Sequence, residues 1–453
     1  MMIMAFPPPP NWRRRFAARK DRLIELLAEG VVGPLPDGRY FHWDKLRHRK
    51  PPRDLSAEEW WAAVKAARLS LRKPVDLHDL GGAPFYFCPV EPILERLHHI
   101  DSRLAGRIGT PETITTGPQR DRYLMSSLIE EAITSSQLEG AATTRRVAAD
   151  MLRSGRRPRN HDERMIFNNY RAMATIRRWR DRPLSPDLVL ELHRQVSEGT
   201  LDDPDSAGRL QAPDEQRVEV RDNRTAEILH RPPPAKLLPE RLEKLCDFAN
   251  REMTGQEFLH PVLHAIILHF WLAWDHPFAD GNGRTARALF YWKMLQSDYW
   301  LFEFISISTI LRQAPGQYKR AFLRTETDEN DLTYFLLHQL EVIGRAIEQL
   351  DEYLRRKTEE VRAMERMLKT RMPLNHRQLA LLGHAMRNPG AEYTIGSHQR
   401  SHNTAYATAR SDLLQLVELD LLEQSPPGQK PIRFFTPEDL AARITSDPRN
   451  RNP

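Results

Sequence analysis

The stretch on which the reading of this chain turns is His276-Pro277-Phe278-Ala279-Asp280-Gly281-Asn282-Gly283-Arg284-Thr285-Ala286-Arg287. Before it runs the apolar segment Val262 to Trp274, and after it the apolar pattern resumes at Ala288-Leu289-Phe290-Tyr291-Trp292, so the whole reads as helix, loop, helix. Gly281 and Gly283 flank Asn282. Glycines there let the backbone approach a ligand and turn consecutive N–H groups inward, and the next helix adds the positive end of its dipole, so the loop suits an anion such as phosphate. Arg284 and Arg287 are three apart and share a helix face, where two forked guanidinium groups match a polyphosphate. Asp280 offers a carboxylate where a phosphate-bound Mg²⁺ would need one, since that ion typically takes one or two protein carboxylates with phosphate oxygens and water. His276 supplies a general base for near-neutral pH. Each residue alone reads equally well as a cap, a turn or a solvated charge; together, in so short a stretch, they describe one site.

Outward from this loop, most segments from about 119 to 350 carry apolar residues at helical spacing, as at Leu124, Leu128, Ala132 and Ile133, or Leu332, Phe335, Leu336 and Leu340. One interruption stands out. Arg217-Val218-Glu219-Val220 alternates, Asp222-Asn223 supplies turn chemistry, and Ala226-Glu227-Ile228-Leu229 returns before Pro232–Pro234, which predicts a β-hairpin on a helical body. His260 and His264 are spaced i, i+4, but no glutamate stands at the second position as in His-Glu-x-x-His, so they are expected to be structural or substrate-flanking and not a metal site.

The segment His276 to Arg287 resembles the Fic-domain signature His-Pro-Phe-x-Asp/Glu-Gly-Asn-Gly-Arg-x-x-Arg, matched at every specified position. The similarity extends to Ala207-Gly208-Arg209, the hairpin, His230-Arg231-Pro232-Pro233, His260-Pro261 and His269-Phe270. It implies a mainly α fold: a helical domain with a β-hairpin flap, transferring AMP from ATP to a Ser, Thr or Tyr hydroxyl of a target protein. Carried over, it makes His276 the base, Asp280 the Mg²⁺ ligand, Gly281, Asn282 and Gly283 the phosphate cradle, and Arg284 and Arg287 the partners of the β- and γ-phosphates. The flap, with Val218, Val220, Glu227, Ile228 and Leu229, would align a target segment by strand addition.

A second segment, Ser135-Ser136-Gln137-Leu138-Glu139-Gly140, closes a helical stretch, with Gly140 as its stop. Ser135, Glu139 and Gly140 resemble the inhibitory motif Ser/Thr-x-x-x-Glu-Gly/Asn of self-restrained Fic proteins. The resemblance implies that Glu139 pairs with Arg287, in the place of the γ-phosphate, so that a carboxylate both repels ATP and occupies the cation meant for it. Some braked members also remove AMP, and that reverse activity stays open here.

The last ninety or so residues change character. A helix near Leu379 to Met386, a strand at Tyr393-Thr394-Ile395, a helix from Thr404 to Val417, a Pro426-Pro427-Gly428 turn and a returning strand at Ile432 to Phe435 are similar to winged helix-turn-helix modules. His398, Arg400, His402 and Arg410 lie on or beside the expected recognition helix, where they are expected to meet DNA phosphates. A DNA-binding regulator with an accessory Fic domain is therefore the competing reading. The expected layout is an N-terminal domain over 1–105, a Fic domain with its inhibitory helix over 106–355 and a winged-helix-like domain over 356–453.

Composition sets the outer limits. The chain has 453 residues, 28% charged and 40% hydrophobic, enough to bury a core and too ordinary for a disordered or membrane-embedded chain. Lys and Arg number 67 against 61 Asp and Glu, a +6 excess that permits a nucleic-acid partner without requiring one. Two cysteines, Cys88 and Cys246, exclude a disulfide framework and a four-cysteine zinc site. Val262 to Trp274 is shorter than the ~20 residues of a membrane span, and no signal peptide is read at the N-terminus. A cytoplasmic, membrane-free protein is expected, its partners a hydroxyl-bearing target protein or a second copy of itself.

Overall fold

The computed structural model describes residues 7–105, 118–221, 228–371, 374–387, 390–426 and 431–445. Two compact units emerge: Met1–Ala105 with Ser127–Ile347, and Gly106–Ser126 with Glu348–Pro453. The architecture is mainly helical, as the periodicity predicts, with short antiparallel strand pairs inserted between helices.

In the first unit, helices α1 (Trp12–Ala18), α2 (Lys20–Ala28) and α3 (Ala57–Arg68) pack around Leu23, Leu26, Trp60 and Trp61. Ser56 and Glu59 form a reciprocal capping box that fixes where α3 begins. A hairpin of β1 (Lys73–His78) and β2 (Pro84–Phe87) leads into α4 (Glu91–Ile100). Polar side chains from this region run inward to a loop at residues 328–331. Lys65, fully buried, reaches Asp328 at 2.7 Å, while the Tyr40 hydroxyl donates to Asp331 at 2.6 Å. Buried charges of this kind persist only when paired and hydrogen-bonded.

The helices that position the loop of interest are α5 (Pro118–Leu138), α6 (His161–Trp179), α7 (Pro186–Ser197), α8 (Leu238–Asn250), α9 (Pro261–Asp275) and α10 (Asn282–Gln296). Helix α9 starts at Pro261 with His260 as cap, its Nδ1 accepting the Val262 N–H. Helices α9 and α10 are buried on nearly every face, as expected for the apolar α9, while α10 buries Arg284, Arg287 and Lys293 as well; they pack along one another with α10 also against α6 and α7. The flap is a short antiparallel pair, β3 (Val220–Arg221) with β4 (Ile228–His230), and it emerges between α7 and α8. Beyond it come α11 (Pro315–Thr327) and the long α12 (Thr333–Arg371).

The second unit follows α12 with α13 (His376–Arg387), β5 (Glu392–Thr394), α14 (Ile395–His402), α15 (Tyr406–Glu418), β6 (Glu423–Gln424) and β7 (Arg433–Phe435). The strands form one antiparallel sheet in the order β5-β7-β6 around a core including Leu382, Leu413, Leu416 and Phe434. One expectation fails here. His398 is buried and its Nε2 lies 3.2 Å from Asp412, which also takes two bonds from Arg377, so it faces the core and offers nothing to a phosphate. Among the described residues no helix is long and apolar enough to cross a membrane.

Candidate active site

Helix α9 ends at Asp275, and His276 caps it in the left-handed region (φ 46°, ψ 52°), where an L-residue costs about 1–2 kcal/mol. Its neighbours hold it there. The His276 side chain is half-buried, and burial lowers its pKa to about 4, with the backbone of Ala273 opposing and nearby His230 assisting. Nδ1 lies 3.3 Å from the Ala273 carbonyl, which assigns the proton to that nitrogen and leaves the Nε2 lone pair available. At neutral pH the ring is therefore uncharged, the form a base needs.

The loop that follows is fixed through its carbonyls. Asn282 does not present its side chain to a ligand; its Oδ1 accepts the Phe278 N–H at 2.9 Å and its Nδ2 donates to Phe278 O at 2.8 Å, closing the turn internally. His193, stacked on Phe278 with ring centroids 3.7 Å apart, donates from Nε2 to Asp280 O at 2.9 Å and accepts the Gly208 N–H at Nδ1. Burial lowers its pKa to about 4, which keeps this donor-and-acceptor form. Pro277 O takes the Gln211 N–H at 3.0 Å. With carbonyls drawn away, the loop's N–H groups remain for an anion. Gly281 sits at φ 79°, a conformation that favours glycine, and caps α10.

Arg284 and Arg287 project from the first turns of α10 and both are buried. Arg284 donates from Nη1 to Val196 O at 2.7 Å and stands 3.4 Å from Asp280, while its buried Nε has no hydrogen-bond partner among the described residues. Burial lowers its pKa, only partly offset by the charges of Asp280 and Glu139. Arg287 donates from Nε to the Ser135 hydroxyl at 2.8 Å and from Nη2 to Ser135 O at 3.0 Å and to Glu139 Oε1 at 2.7 Å. Burial would lower its pKa too, yet the facing charges of Glu139 and Tyr318 outweigh that and raise it.

Glu139 lies just past the end of α5, which Gly140 terminates at φ 105°. Its carboxylate rests directly over the glycine loop: a Cβ added to Gly283 would collide with it, meeting its Cδ at 2.9 Å. Arg287 thus meets both Ser135 and Glu139, and Glu139 also lies against Gly283. Asp280, 3.4 Å from Arg284, keeps its side chain 58% exposed at the mouth of the loop. Among the described residues no three His, Cys, Asp or Glu side chains gather as a metal cage. A lone, open carboxylate fits a Mg²⁺ that arrives on phosphate oxygens and does not fit a resident ion.

His260 and His264 each have a separate partner: His260 Nε2 meets Asp101 at 2.9 Å and His264 Nε2 meets Phe248 O at 2.8 Å. In the flap, Val218, Val220, Ile228 and Leu229 are half-buried beside the site, whereas Glu227 lies outside the described residues. Sequence reasoning missed His193, Arg217, Gln211 and His230, which hold the loop, and Glu131. Glu131 is buried one helical repeat before Ser135, accepting from the Tyr291 hydroxyl at 2.9 Å and the Ser308 N–H at 3.1 Å. Glu131, Ser135 and Glu139 fall every fourth residue, a helical spacing that was legible; the partners of Glu131 were not.

Comparison with known proteins meets the same segment. Residues 183–294 match the family model described as Fic/DOC family. A protein adenylyltransferase fic-1 of Caenorhabditis elegans is 34% identical over 119 residues, 26% of this chain and 20% of that relative. A protein adenylyltransferase Fic of Nematostella vectensis is 38% identical over 105 residues, 23% of this chain and 21% of that one. The aligned part thus spans about a fifth of each curated relative. Among solved structures, a Fic family protein from Desulfovibrio desulfuricans superposes with a TM-score of 0.51 at 18% identity, covering 78% of this chain and 97% of that one, a likeness of fold. The residues that match the Fic/DOC family model run from helix α7 through the flap to the glycine loop and α10.

Proposed function

We propose that this chain is a protein adenylyltransferase, moving AMP from ATP to a Ser, Thr or Tyr hydroxyl of a target protein, and that Glu139 restrains it. The carrying observation is the seat of the Glu139 carboxylate, over Gly283 and 2.7 Å from Arg287 in a pocket of inward N–H groups and buried cations. An anion-binding pocket occupied by the protein's own carboxylate is what a triphosphate would have to displace. The unpartnered Nε of buried Arg284 supports the same reading, because an orphan donor on a fixed cation awaits an acceptor.

In this reading His276 Nε2 takes the hydroxyl proton as the oxygen attacks the α-phosphorus, and the bond to pyrophosphate breaks. Arg284 and Arg287 hold the β- and γ-phosphates, and the N–H groups of Gly281, Asn282 and Gly283 line the phosphate path. Asp280 would hold Mg²⁺, which when bound offsets phosphate charge. The flap strands carry Val218, Val220, Ile228 and Leu229 to the edge of the site, where an extended target segment adds alongside. The C-terminal unit, with its helix, strand, two helices and paired strands, is proposed to be a winged helix.

The test is to supply the Glu139→Gly protein in a lysate with ATP labelled at the α- or the γ-phosphate. Label should reach protein from the α-phosphate alone. Transfer from the γ-phosphate would make the enzyme a kinase, and transfer from neither would remove the reading.

A further inference from the structure

The two strands of the flap each end in a side chain that grips the carbonyl end of α9. Arg217 precedes β3; its Nη2 donates to Asp275 O at 2.7 Å and to His276 O at 2.9 Å. Its Nε donates to Pro233 O at 2.8 Å, and its Nη1 contacts Gln211 Oε1. His230 closes β4, with Nε2 donating to Trp274 O at 2.6 Å and Nδ1 facing Glu326 of α11 at 2.9 Å. The last carbonyls of a helix have no partner within it. Here those of Trp274, Asp275 and His276 are taken up by the base of the flap.

Resting on the adenylyltransferase reading above, we propose that Arg217 is a positioning residue that couples the flap to the base His276. One guanidinium ties the strand entering the flap, the proline run leaving it and the backbone of the residue whose imidazole accepts the proton. His276 holds a left-handed backbone conformation, and the carbonyl that Arg217 fixes is its own. Whatever docks along β3 and β4 shifts Arg217, and a shift of Arg217 turns His276. Arg287 and Gly283, which take the phosphates in that reading, receive no bond from Arg217 among those described. Loss of Arg217 therefore separates two quantities that a general collapse of the site would lower together: the rate of transfer and the affinity for ATP. A lysine cannot substitute, because a single ammonium lacks the planar fork that spans three segments.

The experiment uses the full chain carrying Glu139→Gly, with ATP as the only added substrate. Pyrophosphate release and AMP label on the chain itself are followed, and ATP affinity is read by calorimetry. If Glu139→Gly alone releases no pyrophosphate and takes no label, the adenylyltransferase reading fails. Given activity there, adding Arg217→Met should lower kcat at least about tenfold with the Kd for ATP within about twofold, and Arg217→Lys should not restore it. Unchanged kcat, or a parallel loss of ATP affinity, would overturn the proposal. Should Arg217→Met not accumulate as folded protein, Gln211→Met removes the acceptor on the far side of the guanidinium. It should also lower kcat with ATP affinity held, and an unchanged kcat there counts against the coupling.

Discussion

At the scale of single residues, Arg287 bonds to both Ser135 and Glu139, and in the proposed reading ATP would displace only Glu139. Stranding one partner of a buried pair costs about 3–5 kcal/mol, an upper bound here because the Glu139 side chain is 29% exposed. Gly283 tells whether phosphate truly comes to the place the carboxylate now holds. Gly283→Ala puts a methyl there, so in the Glu139→Gly background it should lower AMP transfer by about 10²-fold, the scale of losing one oxyanion donor. Full transfer by that double variant would move the phosphates elsewhere. The pairing of Glu139 with Arg287 was legible only through the resemblance to the inhibitory motif. The internal bonding of Asn282 was not, since a side chain between two glycines reads as exposed until its own turn folds back on it.

At the scale of elements, the loop between α9 and α10 draws its shape from donors on α7, the flap and the segment between them. His193 sits in an ordinary amphipathic helix, and nothing in its sequence neighbourhood marks it; only the fold brings it under Asp280. Burial of His276 has a consequence in pH. Its pKa falls from 6.5 to about 4, so the neutral, base-competent form persists down to that region and is lost as pH falls through it. Transfer by Glu139→Gly should therefore be level from pH 7.5 to about 5.5 and decline only below. A pH profile with its acid limb near 6.5 would show that His276 is solvated during turnover. His276→Ala should cost about 10²–10⁴ in rate if the ring is the base.

At the scale of the whole molecule, the residues before 105 were the least legible. Their aromatic and basic side chains gave no motif, because their partners, Asp328 and Asp331, lie more than two hundred residues further on. Lys65→Met should strand Asp328 in the interior and lower stability by about 3–5 kcal/mol, measured as a drop in the thermal midpoint; an unaltered midpoint would mean that the pair is not buried in solution. Acid should act on the same unit through its enclosed histidines. Burial lowers His264 and His269 to about 3 and His193, His276 and His338 to about 4. Unfolding lets each take up a proton below its ordinary pKa of about 6.5, so the unfolded state binds more protons and stability falls as pH drops from about 6.5 to 4. The thermal midpoint should fall across that window and stay flat above it. The helical body and its loop were readable because their signals are local, in spacing and in glycine. The braces were not, because each joins residues distant in sequence.

The most direct measurement of the central claim is AMP incorporation from α-labelled ATP by the full chain, compared between wild type and Glu139→Gly. The account predicts labelled protein with Glu139→Gly at about tenfold or more above wild type, a gain that a few kcal/mol of released competition allows, and its loss again on adding His276→Ala. Equal incorporation by wild type and Glu139→Gly would contradict it.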